Sequence, residues 1–167
     1  MASCFFIGHH DAPDTLLPLL LETVERHYSC YAVRSFTVGM YGSFDRMAAR
    51  AVMGLKQRCP VTLSLLLPYH PFERPIPAPE GFDNTFYPPG MEDVPKRAAI
   101  VRANRYMIAH SDYLIAYDRG QIGNTRDLVA YARRREGKGQ IHVENLAERM
   151  GKADWVPTLG NPIGFIP

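Results

Sequence analysis

Three stretches of the sequence place glycine directly after an apolar run and polar groups directly after the glycine. They are Phe5-Phe6-Ile7-Gly8-His9-His10, then Val38-Gly39-Met40-Tyr41-Gly42-Ser43-Phe44-Asp45, and then Tyr117-Asp118-Arg119-Gly120-Gln121-Ile122-Gly123-Asn124-Thr125. Glycine lets a backbone approach a ligand closely, and the start of a helix offers unpaired N–H groups with a partial positive charge. Together they suit an anion such as phosphate. One such turn is common in any strand-to-helix loop; three at one sheet edge are more specific. His9 can exchange a proton near neutral pH or simply satisfy loop carbonyls.

Three carboxylates lie in or beside these turns: Asp45, Asp118 and Asp127. A carboxylate there can hold a ribose hydroxyl, or assist cleavage of a glycosidic bond by stabilising the oxocarbenium-like sugar or activating water. Asp45 could equally serve the dipole of the helix it opens. The three remain alternative catalytic candidates. Arg102 and Arg105 are three apart and share a helix face, with Asn104 between them, so that face could address phosphate or pair with surface acids. His10, His70 and His110 are too scattered for a metal-ligand spacing, and no metal or cofactor is implied. Cys4, Cys30 and Cys59 are odd in number and lack a Cys-x-x-Cys pair, as expected of small buried apolar residues in a reducing cytosol.

The elements that must position these residues follow a β-α-β-α rhythm. Apolar runs of strand length occur at 4–7, 33–38, 61–67, 113–117 and 141–143, and helical periodicity occupies 14–27, 43–58, 95–110 and 125–135, with a short helix at 144–150. Runs such as Tyr113-Leu114-Ile115-Ala116-Tyr117 are apolar at consecutive positions, which suits strands covered on both faces. The expectation is an α/β, Rossmann-like three-layer α/β/α sandwich with a mostly parallel sheet of five strands or slightly more. Asp14 is placed to cap the first helix and Pro95 to occupy the first turn of the third. Arg133-Arg134-Arg135 reads as the solvated, dipole-compensating end of the fourth. From Pro68 to Pro95 eight prolines exclude a regular helix or an interior strand, leaving a long crossover loop whose aromatics favour an ordered flap.

The 167 residues, 46% hydrophobic, suit one domain over 1–167 with an irregular tail at 151–167. A net charge of +2 is too small for a broad nucleic-acid-binding face. The sequence shows neither a signal peptide nor a membrane anchor, so a cytoplasmic location is expected.

These stretches resemble the YpsA-like branch of the SLOG superfamily, a Rossmann-like group that also holds the LOG-type phosphoribohydrolases and the DprA DNA-processing proteins. The likeness rests on Phe5 to His9, on Gly39 to Asp45 with Ala48 and Ala49, on Asn104 to Ile108 leading into His110 to Tyr117, and on Gly123 to Arg126 with Tyr131 and Ala132. It implies a nucleotide or nucleotide-derived ligand, with Gly39, Gly42, Gly123 and Thr125 nearest its phosphate or ribose and Asn104 and Arg105 in contact. The site so implied comprises Gly8, His9, Gly39, Met40, Gly42, Asp45, Asn104, Arg105, Gly120, Gly123, Asn124 and Thr125. Leu128 stands where LOG-type members carry the glutamate that supports cleavage, and Asp127 points about 100° away around the helix. His10 replaces an arginine usual in YpsA-like proteins, and Asn124 replaces a glycine. The expected function is therefore ligand binding in a sensing or regulatory module; hydrolysis of the N-glycosidic bond of nucleoside monophosphates and, by analogy with DprA, association with single-stranded DNA are the alternatives. A homodimer would be in keeping with the relatives.

Overall fold

In the computed structural model, which describes residues 2–153, six strands form one sheet in which every pairing is parallel. In chain order the elements are β1 (Ala2–Gly8), α1 (Leu17–Tyr31), β2 (Val33–Val38), α2 (Ser43–Lys56), β3 (Thr62–Leu66), β4 (Asn84–Phe86), α3 (Lys96–Ala109), β5 (Tyr113–Tyr117), α4 (Asn124–Glu136), β6 (His142–Asn145) and α5 (Leu146–Ala153). The sheet order is β4-β3-β2-β1-β5-β6. The order therefore reverses between β1 and β5, whose register runs from Cys4 opposite Tyr113 to Gly8 opposite Tyr117.

Alternate side chains of each central strand serve two cores. Cys4 and Phe6 of β1, Phe36 and Val38 of β2 and Leu63 and Leu65 of β3 pack beneath α1, α2 and α5. Phe5 and Ile7 of β1, Leu114 and Ala116 of β5 and Val143 of β6 pack beneath α3 and α4. Helices on both faces explain the apolar runs, since neither face of β1 or β5 meets water. The result is the expected Rossmann-like three-layer sandwich.

Several boundaries differ from the sequence expectation. A sixth strand, β4, lies inside the proline-rich segment, paired to β3 from Ser64↔Asn84 to Leu66↔Phe86. An edge strand needs hydrogen bonds on one side only, so three residues of the proline-free stretch between Pro79 and Pro88 suffice. Asp14 does not cap a helix: residues Asp14–Leu16 form one 3-10 turn, and α1 begins at Leu17 with Pro18 in its first turn. It ends only at Ala32, a left-handed residue with φ 60°. Pro95 precedes α3 as its N-cap, with extended ψ of 144°. The arginine run closes the last turn of α4, with Arg134 exposed as expected and its two neighbours also paired. Arg133 pairs with Glu136 and Glu148, and Arg135 donates to the Ala109 carbonyl. Residues 151–153 of the expected irregular tail complete α5, and the rest of that tail lies outside the described residues. No helix among the described residues is long and apolar enough to cross a membrane.

The end of β1 is the tightest junction in the fold. A Cβ on Gly8 would overlap the ring of Phe44, which is fully buried and stacked on Tyr117 with centroids 6.3 Å apart. Gly8→Ala is therefore expected to lower unfolding stability by about 1–3 kcal/mol through overpacking, read as a reduced urea midpoint at unchanged slope.

Candidate functional site

At the carboxyl ends of the strands, on the α3 and α4 side of the sheet, a cleft of about 160 Å³ opens between the turns. Its walls come from the end of β1 (Gly8, His10), the β2–α2 turn (Gly39, Tyr41, Asp45), the end of β3 (Leu66, Pro68), α3 (Ile100, Asn104) and the start of α4 (Asn124, Thr125, Leu128). Ligands of open α/β sheets bind in this place, outside the strand ends near the reversal of strand order.

Each wall follows from local sequence. Ile100, Ala103 and Asn104 are spaced i, i+3 and i+4, so they form one stripe of α3. Leu128 lies one turn beyond Asn124 and thus shares its face of α4. Gly42 has φ 123°, and a Cβ there would overlap His10, so glycine is needed for the β2–α2 turn to pass the β1 loop. The Ser43 N–H and hydroxyl then bond the carbonyls of His10 (2.9 Å) and Ala12 (2.7 Å), locking the two turns together.

Among the described residues, Asp45 is the one carboxylate that lines the cleft, and no lysine or arginine lines it. The Tyr41 N–H donates to Asp45 Oδ2 at 3.0 Å, and a Cβ on Gly39 would come within 2.9 Å of that oxygen. Burial pushes the Asp45 carboxyl up to about 7, against the smaller downward pull of the Tyr41 N–H and the Arg46 guanidinium. The carboxyl is thus poised to change charge near neutral pH. The start of α4 adds donors: Gly123 precedes it with φ 152°, and no side chain caps it.

Half of the expected site residues meet in this cleft: Gly8, Gly39, Asp45, Asn104, Asn124 and Thr125. The others do not line it. Arg105 is turned away from the cleft, its guanidinium 4.0 Å from the centroid of the Tyr131 ring. The 8% exposed His9 accepts the Arg119 N–H at Nε2 (2.9 Å), which leaves its proton on Nδ1. Burial, with Arg119 nearby, lowers its pKa, so it acts as a neutral brace for the β5–α4 loop. Asp118 accepts the Gly120 N–H at 2.8 Å and holds the same loop, while Asp127 is exposed on α4. Met40 is on the exposed rim, and Gly42, Gly120 and Gly123 shape backbone, Gly120 with φ 85°. Asn124 needs no left-handed backbone, because it is the first residue of α4.

Sequence reasoning missed the Leu66–Pro68 wall, Tyr41 and Ile100. The end of β3 carries no glycine signature; only its place in the parallel sheet could have marked it. No protein-family model matches the chain, and no curated protein matches it.

The raised Asp45 pKa carries a stability consequence. A carboxyl whose folded value lies above its unfolded one, near 3.9, contributes stability that is complete below pH 3.9 and lost as pH rises through about 7. Asp45→Asn is expected to remove that loss and to be the more stable protein at pH 8, by at most about 1.4 kcal/mol per pH unit between the two values. Urea unfolding of both proteins from pH 4 to 8 checks this.

Proposed function

We propose that this cleft binds a nucleotide or nucleotide-derived ligand, as a sensing or regulatory module. The observation that carries the reading is the opening of the uncapped start of α4 into the same cleft as Asp45 and Asn104. Backbone N–H groups at a helix start suit phosphate, and a carboxyl with an amide in the same cleft suits the hydroxyls of a sugar. The resemblance to the YpsA-like branch supports the same ligand class.

Hydrolysis is the second reading, favoured by the burial of Asp45, which pushes its carboxyl up to about 7, the range that suits a proton-transferring group. Against it, Leu128 presents an apolar side chain to the cleft where the LOG-type signature has glutamate. Base release abolished by Asp45→Asn would establish hydrolysis in place of binding alone.

The binding reading is tested by thermal unfolding with a panel of nucleoside mono-, di- and triphosphates and cyclic nucleotides. A ligand at a hundredfold excess over its dissociation constant contributes about 2.7 kcal/mol, which raises the midpoint by roughly 5–10 °C for a chain of this size. No shift with any member of the panel would refute it.

A further inference from the structure

We propose that Asp45, in the cleft that Asn104 also lines, is the sugar-recognition end of the site and selects ribonucleotides over 2′-deoxyribonucleotides through the vicinal hydroxyls. The assignment rests on the nucleotide reading and adds to it an orientation and a specificity.

Strand order sets two kinds of lining apart: Asp45 follows β2, and Asn124 and Thr125 follow β5, on opposite sides of β1. At one end Asp45 is held in place: the Tyr41 N–H fixes Oδ2, and the missing Cβ of Gly39 gives that oxygen its room. Among the described residues no other donor reaches the carboxyl, so Oδ1 has its acceptor capacity free. An ionised carboxylate only accepts hydrogen bonds, so a ligand that completes it must donate. Phosphate at this end would set two anions side by side, with Arg46 the nearby cation but no lysine or arginine among the described residues lining the cleft. At the other end Asn124 and Thr125 open an uncapped helix, which suits the anion. A ligand bridging both ends therefore carries phosphate toward α4 and hydroxyl donors toward Asp45. A 5′-phosphorylated ribose has that layout, and an acid beyond the second strand of a parallel α/β sheet is well placed to bond a ribose diol.

The same arrangement fixes the pH response. The titratable or charged groups facing Asp45 are Tyr41 on its own turn, Arg46 on its own helix and His10 from the end of β1; the residues of α3 and α4 that line the cleft carry no charge. Diol binding needs the ionised carboxylate, so the preference for ribose grows as pH rises through 7.

The full chain is titrated by calorimetry with AMP, GMP, CMP and UMP and with their 2′-deoxy counterparts, at pH 6 and pH 8, for the wild type and Asp45→Asn. The deoxy partner titrates its phosphate identically, so the ribo-to-deoxy ratio isolates the sugar contact. The expected result at pH 8 is about 10–100-fold tighter binding of the ribo form, from leaving one buried acceptor unpaired in the deoxy complex. That ratio should shrink at pH 6 and vanish in Asp45→Asn, whose circular dichroism and midpoint establish that it is folded. Equal affinity for both sugars, or a ribo preference that survives Asp45→Asn, overturns the assignment and leaves the nucleotide reading standing. Binding by none of the eight also overturns the assignment, while the nucleotide reading itself falls only if the wider thermal-unfolding panel is silent too.

Discussion

The close approach of Phe44 to the end of β1 is the constraint on which the site depends. Gly8 has no side chain, so the first turn of α2 can lie directly over the strand, with Phe44 buried between Phe6 and Tyr117. Helical geometry then decides the next residue. Asp45 follows Phe44 by about 100°, which turns its carboxyl out of the core and into the cleft. A side chain on residue 8 would lift α2 and move the carboxyl with it. The glycines at 39 and 42 serve the same junction, one by clearing the Asp45 oxygen and the other by clearing His10.

A second set of contacts holds the opposite rim. The β5–α4 loop is braced by polar bonds rather than by a core: His9 accepts the Arg119 N–H, Asp118 accepts the Gly120 N–H, and Asn145 of β6 exchanges hydrogen bonds with Asp118, accepting from its N–H and donating to its carbonyl, each at 3.0 Å. Beyond this brace Ile122 stands 92% exposed between two positive-φ glycines. The loop thus combines a fixed base with a tip that touches little, a pattern suited to a segment that meets a ligand from above. The carboxylate Asp118, its neighbour His9 and the Asn145 amide belong to that brace, which is why they are near the cleft without lining it.

The glycine turns, the alternating cores and the parallel sheet were legible in the sequence, because consecutive apolar residues in strands and helical periodicity between them express burial on both sheet faces. The sequence also singled out Asp45, Asn104, Asn124 and Thr125. It could not choose among Asp45, Asp118 and Asp127, because the choice depends on the rotation of α2 and α4 about their axes. His9 and Arg105, which it also named, do not line the cleft, and adjacency in sequence does not say which neighbour faces inward. β4 was hidden because a three-residue edge strand among prolines has no periodicity to read.

Composition and pattern alone determined that this chain builds an α/β sandwich with glycine turns at one sheet edge, for those features follow from local backbone freedom and the demand to bury apolar surface. Only the tertiary structure decided that, among the described residues, Asp45 is the one carboxyl lining the cleft, and that the third strand end closes its wall. Both depend on which elements become neighbours across the sheet, and that is set by packing between residues far apart in the chain, as between Gly8 and Phe44.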